Sequence, residues 1–138
     1  EDIDGSNSDD TLVGNDSVDT IIGNAGSDRL TGLGGDDTLI GGAGDDIFVA
    51  TSKSDGADRL VGGVGYDTAD YSTLKESITV NLNDDFDGTV AVSGGDTDTL
   101  VSVENVIGSL ANNTIYGDTK NNTLIGNIGD DYIDGKGG

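Results

Sequence analysis

Large apolar residues recur every nine places along the first third of the chain. Leu12, Ile21, Leu30, Leu39 and Phe48 each stand two places after an Asp (Asp10, Asp19, Asp28, Asp37, Asp46) in units that open on Gly5, Gly14, Gly23, Gly32 and Gly41. The frame divides residues 5–49 into five units: GSNSDDTLV, GNDSVDTII, GNAGSDRLT, GLGGDDTLI and GGAGDDIFV. Their first six places are mostly Gly, Asn, Ser and Asp, which favour turns and tolerate left-handed backbone angles. The last three (TLV, TII, RLT, TLI, IFV) are β-formers, too short to stand alone as strands. A fixed short period is the mark of a solenoid, in which neighbouring coils bury what one coil cannot. Turn, short strand, turn, short strand predicts a parallel β-roll. Successive strands alternate between two facing sheets, and the eighth-place residues point inward from both.

The rest of the chain interrupts this frame and then resumes it. Glu1 to Asp4 read as the tail of an earlier unit, with Ile3 in its apolar place. After slack at residues 50–54 the period returns, degraded, in KSDGADRLV, which keeps Gly56, Asp58 and Leu60. GGVGYDTAD (62–70) keeps Asp67 but has only Ala69 inside, and residues 71–77 lose the pattern. ITVNL (78–82) and TVAVS (89–93) alternate with period two, as half-buried strands do, and the NDDFDG loop between them makes a hairpin. Asp98, Leu100 and Val101 look like another repeat edge, and VENVI (103–107) reads as a strand. From Gly108 the frame is restored in GSLANNTIY, GDTKNNTLI and GNIGDDYID, with Ile115, Leu124 and Ile133 inward. The expected class is therefore all-β: a roll block over 1–70, a strand and hairpin insertion over 71–107, and a second roll block over 108–138.

Charge sharpens this picture. The chain of 138 residues has 27 Asp and Glu against 6 Lys and Arg, a formal net charge of −21. Such an excess normally favours disorder. Here the carboxylates are locked to the same period as the apolar residues, so bound divalent cations are the natural means of cancelling their repulsion. Nucleic acid is excluded as a partner for want of a basic surface. With no Cys the redox compartment cannot be read, and with no His there is no imidazole for a transition metal or general base. No apolar run reaches transmembrane length, and residues 1–5 have nothing of a signal peptide.

Calcium takes about six to eight oxygen ligands, and accepts carboxylates and backbone carbonyls alike. Gly-rich turns expose carbonyls and let the backbone fold close around an ion; magnesium, which demands compact octahedral geometry, fits less well. The units resemble the RTX, or hemolysin-type, calcium-binding nonapeptide G-G-x-G-x-D-x-U-x, where U is a large apolar residue. GGAGDDIFV matches at every specified place, and GGVGYDTAD at all but Ala69. Other units often lose the second Gly (Ser6, Asn15, Asn24, Leu33).

The resemblance implies several calcium ions, each held between units two apart. Asp10 with Asp28, Asp28 with Asp46, and Asp19 with Asp37 would hold ions, and Asp37 with Asp58 and Asp46 with Asp67 would continue the rows. Asp131 would serve in the last unit. Backbone carbonyls near Gly23, Gly26, Gly32, Gly34, Gly41, Gly42, Gly44, Gly62, Gly63 and Gly65 would complete the shells. Asn113 and Asn122 stand where the frame expects Asp, which predicts weak or absent metal there and amide ladders instead. Asp98 is a marginal candidate. Asp85 and Asp87 match the start of an EF-hand loop, but Gly94 occupies the closing acid place, so an ordinary acidic turn is preferred.

Fifth-place Asp residues (9, 36, 45, 130) form Asp-Asp pairs but recur with the repeat, which speaks against catalysis. Tyr66, Tyr71, Tyr116 and Tyr132 are scattered, as edge or end fillers would be. The resemblance further implies export from a Gram-negative cell by a one-step, type I route, with folding in calcium outside. On this reading the chain is a folding module of a larger secreted toxin, hydrolase or adhesin and not an enzyme itself. Self-assembly end to end into a surface layer or filament, and polysaccharide binding, are the alternatives.

Overall fold

The computed structural model describes residues 1–84 and 87–138, and these contain strands and turns but no helix. The first part holds β1 (Asp2–Asp4), β2 (Thr11–Val13), β3 (Thr20–Ala25), β4 (Arg29–Thr31), β5 (Thr38–Ala43), β6 (Ile47–Val49), β7 (Arg59–Val64) and β8 (Thr68–Asp70). The middle holds β9 (Ile78–Asn81), β10 (Gly88–Val92), β11 (Thr97–Val101) and β12 (Asn105–Ile107). The last part holds β13 (Thr114–Tyr116), β14 (Thr123–Ile125) and β15 (Tyr132–Asp134).

Two sheets face each other, as the nine-residue alternation predicts. One has nine strands in the order β1-β3-β5-β7-β11-β10-β9-β13-β15, the other six in the order β14-β12-β8-β6-β4-β2. Eighth-place residues lie in register from coil to coil. In the larger sheet Ile3 opposes Ile21, Ile21 opposes Leu39, Leu39 opposes Leu60 and Leu60 opposes Leu100. In the smaller one the ladder runs Leu12, Leu30, Phe48, Ala69, Val106, Leu124. Ile21, Leu30, Leu39 and Phe48 are at most 1% exposed, so the two ladders close a thin, dry core. Inward burial fades at the ends of the sheets: Ile3, Leu12 and Leu124 are half-buried and Ile133 is 43% exposed.

The slack after Val49 does not break register. Its residues bulge out, tied by the Thr51 and Ser52 N–H groups to Asp55 Oδ2 at 2.8 and 3.1 Å. The coil resumes with equivalent carboxylates 21 residues apart instead of 18. β3, β5 and β7 run through six residues, twice the length of β4 or β6. Identical turns stack on one another, so their peptides join the ladder, pairing Asn24 with Gly42 and Gly42 with Gly63.

The insertion adds three strands to one sheet and a single strand to the other. β11 lies parallel to β7, β10 antiparallel to both β11 and β9, and β9 parallel to β13. The expected hairpin is thus β9–β10, and β11 extends it. In the other sheet β12 pairs directly with β8 and β14 with β12. Both repeat blocks therefore contribute to the same two sheets. Tyr71 and Leu74 fill the space opened by the extra strands, at 1% and 2% exposure. Tyr71 is thus a core residue and not the edge filler its scattered place suggested; the wedge left by three strands against one needs a large side chain. Tyr116 and Tyr132 do sit together on β13 and β15, ring centres 5.8 Å apart.

Candidate metal centre

Each turn brings its sixth-place carboxylate back under its own opening Gly. Oδ1 then accepts the backbone N–H of the sixth-place residue one coil earlier. These bonds run Asp10 N–H to Asp28 (2.8 Å), Asp28 to Asp46 (2.9 Å) and Asp46 to Asp67 (2.8 Å) along one edge of the roll. Along the other edge they run Asp19 to Asp37 (2.8 Å), Asp37 to Asp58 (2.9 Å) and Asp58 to Asp98 (3.0 Å). The five pairs expected from the sequence are all brought together, in two columns.

What the second carboxylate oxygen does depends on the turn. In the turns that open on Gly23, Gly32, Gly41 and Gly62, the second and fourth residues both take positive φ: Asn24 (79°) with Gly26 (126°), Leu33 (77°) with Gly35 (111°), Gly42 (116°) with Gly44 (131°), Gly63 (115°) with Gly65 (150°). The second-place N–H then turns away from the carboxylate. In consequence Asp28, Asp37, Asp46 and Asp67 have a buried Oδ2 with no hydrogen-bond partner. Where the fourth place is Ser, the turn closes on itself. Ser6 N–H donates to Asp10 Oδ2 at 2.6 Å and Asn15 N–H to Asp19 Oδ2 at 2.7 Å.

A buried carboxylate oxygen without a donor is costly, about 1–3 kcal/mol or more when charged. Three in one column and one in the other amount to a standing demand for positive charge. The demand shows in the proton affinity of Asp37, Asp46 and Asp67, and in that of Asp58 in the same columns. Burial pushes the carboxyls of Asp37 and Asp46 up, Asp67 to about 6 and Asp58 to about 8, with neighbouring carboxylates adding to it. Asp10 goes the other way, held down by the Ser6 N–H and hydroxyl. Asp19 is held down by the Glu1 amino group and the Asn15 N–H.

Space around these oxygens is set by the opening glycines. A Cβ at Gly23, Gly32, Gly41 or Gly62 would strike the Oδ2 of the Asp five places on. The Gly41 carbonyl lies 2.7 Å from where a Gly23 Cβ would be, and the Gly32 carbonyl 2.7 Å from that of Gly14. Carbonyls of Gly26, Gly42 and Gly44 sit likewise beneath Gly44, Gly63 and Gly65 of the next coil, while Gly34 packs over Asp16. Carboxylate and carbonyl oxygens are thus interleaved, which is the donor set a hard cation takes. Among the described residues no three carboxylates converge on one point, so any ion would draw part of its shell from carbonyls. The residues present fit calcium.

The remaining candidates fall outside this arrangement. Asp98 Oδ1 receives Asp58, but its Oδ2 accepts the Tyr71 hydroxyl at 2.6 Å, and burial lifts it to about 6. Asp87 pairs with Arg59 at 2.9 Å on the surface, and Asp85 lies outside the described residues. Asn113 N–H donates to Asp131 Oδ1 at 2.8 Å, and Asn122 Oδ1 accepts Asp118 N–H at 2.9 Å. Glu104, which the Asp-based frame passes over, ends the first column by accepting Asp67 N–H at 3.1 Å. Its place two before buried Val106 was the available signal. Tyr71 and Asp55 carried none, because their roles come from contacts distant in sequence or from the bulge.

A family model for the RTX calcium-binding nonapeptide repeat matches the chain in four copies, over residues 1–30, 22–52, 54–70 and 107–138. No curated protein matches it.

Proposed function

We propose that this chain, which belongs to the RTX calcium-binding nonapeptide repeat family, is a module whose N-terminal coils fold when calcium binds. Its repeats bind several calcium ions. The observation that carries the rest is the set of buried, donorless Oδ2 atoms on Asp28, Asp46 and Asp67 in one column and Asp37 in the other. With Asp58 and the carbonyls near Gly23, Gly26, Gly32, Gly41, Gly42, Gly44, Gly62, Gly63 and Gly65, these oxygens hold the ions. Asp10 and Asp19 contribute less, since a backbone N–H already serves their second oxygen.

Without calcium, carboxylates stacked one coil apart repel, and a thin core of one residue per unit does not offset the entropy of ordering Gly-rich chain. With calcium above its dissociation constant, mass action stabilises the folded state. The family is associated with secreted proteins, and this supports the outside of the cell, where calcium is plentiful, as the place of folding. Passage as an unfolded chain through calcium-poor cytosol by a type I route follows from the same reading, as does attachment to a larger secreted protein that supplies any catalytic activity.

The test is a calcium titration followed by far-ultraviolet circular dichroism, with magnesium as control. A cooperative gain of β signal with calcium and not magnesium is the expected result. A chain already fully folded in chelator, and indifferent to calcium, would overturn the reading.

A further inference from the structure

The turn from Gly108 to Asn113 contains a neutral group where the metal-type turns leave a bare oxygen. Asn113 is 2% exposed and its orientation is fixed from one side: Oδ1 accepts the Ile78 N–H at 3.0 Å and the Ser109 hydroxyl at 2.7 Å. Two donors on Oδ1 leave no choice for the other end of the amide, which must be the nitrogen. That nitrogen faces four oxygens: the carbonyls of Ala111 (2.8 Å), Gly126 (3.0 Å) and Ser109 (3.4 Å), and Asp131 Oδ1 (2.9 Å). The opening carbonyl of the next coil and that coil's sixth-place carboxylate also flank Asp28, where the Gly41 carbonyl lies 2.7 Å from a Gly23 Cβ and Asp46 Oδ1 accepts the Asp28 N–H. There the sixth-place atom is an orphaned Oδ2; in this turn it is an NH2 group that donates.

We propose that the Asn113 amide is a built-in substitute for a cation, and that it makes residues 71–138 a calcium-independent nucleus on which the calcium-dependent coils of residues 1–70 stack. The proposal rests on the calcium reading for the N-terminal coils. Three further observations carry it. The other column is also closed by an amide in this region, turned the opposite way: Asn122 accepts Asp118 N–H of its own turn through Oδ1 and donates to the Glu104 carbonyl of the preceding coil at 3.1 Å through Nδ2. The four buried donorless carboxylate oxygens all lie between Asp28 and Asp67. The core is thickest in the same region, where Tyr71, Leu74, Ile78, Val80, Leu82 and Val90 are each at most 3% exposed. The three paired strands β9, β10 and β11 share an apolar face, and among the described residues of this region no fully buried side-chain oxygen or nitrogen lacks a partner, so compactness there needs no ion. The β11 and β12 edges then present Asp98 Oδ1 and Glu104 to the Asp58 and Asp67 N–H groups, a template already in register for the next coil.

Hydrogen exchange of the full chain, with and without calcium, tests this. In chelator the amides of Ile78, Asn113 and Ile115 are expected to exchange at least about a hundredfold slower than those of Asp28 and Asp46, which gain protection only with calcium. In Asn113→Asp the donor becomes an acceptor facing four oxygens, so protection of Ile78 and Ile115 in chelator is expected to be lost. Asp131→Asn keeps Oδ1 as an acceptor and is expected to retain that protection. Equal exchange in both halves of the wild type in chelator, both fast, would overturn the nucleus. Undiminished protection in Asn113→Asp would overturn the role of the amide. If both halves of the wild type are protected in chelator, the calcium reading fails, while the Asn113→Asp arm still decides the amide's role.

Discussion

The backbone N–H of Asp28 donates to Oδ1 of Asp46 at 2.9 Å, while Oδ2 of the same Asp46 carboxylate is buried with no donor. One oxygen therefore fixes the stacking of consecutive coils and the other is free for an ion. The division of labour makes substitutions at the sixth place separable. Asp46→Asn keeps the Oδ1 acceptor but removes the charge, and is expected to raise the calcium midpoint by about tenfold or more, about 1.4 kcal/mol. Asp10→Asn, whose Oδ2 is already bonded to Ser6 N–H and hydroxyl, is expected to shift it by less than about threefold. Calcium titrations of the two variants side by side check this, and equal shifts would refute the division.

The opening glycine of a metal-type turn leaves no room for a side chain. A Cβ at Gly41 would lie 2.6 Å from Asp46 Cγ and 2.8 Å from its Cβ, displacing the carboxylate. Gly41→Ala is expected to cost about 1–3 kcal/mol in saturating calcium. Gly135, with nothing within 4 Å, is the control, and Gly135→Ala is expected to stay within about 0.5 kcal/mol. Urea midpoints measure both.

Protons are expected to replace calcium in part. In the metal-free fold burial raises Asp37 and Asp46 above 3.8, Asp67 and Asp98 to about 6, and Asp58 to about 8. Groups that bind protons more tightly folded than unfolded stabilise the fold below their ordinary value, and that stability is lost as pH rises through the folded ones. For these carboxyls the loss spans pH about 4 to about 8. Asp10 and Asp19, lowered, act oppositely and weaken the fold only as pH falls below 3.8. Circular dichroism in chelator is therefore expected to show more β structure at pH about 4.5 than at pH about 8. A signal flat with pH would contradict it.

The Tyr71 hydroxyl is expected to matter for stability without touching calcium. It is the donor on Asp98 Oδ2 at 2.6 Å, in a region where both residues are at most 5% exposed. Tyr71→Phe keeps the ring and orphans the carboxylate, at an expected cost of about 1–3 kcal/mol. Thermal melts in saturating calcium read that loss, and the calcium stoichiometry of the variant is expected to be unchanged.

Much of the architecture is legible in residues 5–49. Gly at the first place, Asp at the sixth and an aliphatic or Phe at the eighth specify one turn and one short strand, and repetition specifies how neighbours stack. The pairing of Asp28 with Asp46 and of Asp37 with Asp58 was implied by the resemblance of the units to the RTX nonapeptide, the second only if the slack after Val49 kept register, as it does. The hairpin of β9 and β10 was visible in its alternation. These are local or periodic features, and a chain that repeats itself reports its long-range contacts in its own period.

Tertiary structure decided what the period does not encode. Asp10 and Asp28 occupy the same place in their units, yet one carboxylate is closed by Ser6 N–H and the other is left bare. The turn's backbone angles make that difference, and only the folded peptide orientation reveals it. Three strands enter one sheet while a single one enters the other, because β12 pairs directly with β8; Tyr71 is buried as a result and reaches Asp98. Asn113 reads in sequence as a lost ligand. In the fold it is a donor held by Ile78 and Ser109 against four oxygens, since the amide's two ends are sorted by partners up to 35 residues away. The sequence by itself determined the coil and the rows of carboxylates. Which oxygens wait for an ion and which are already satisfied was settled by non-local hydrogen bonds, formed only once the coils stack.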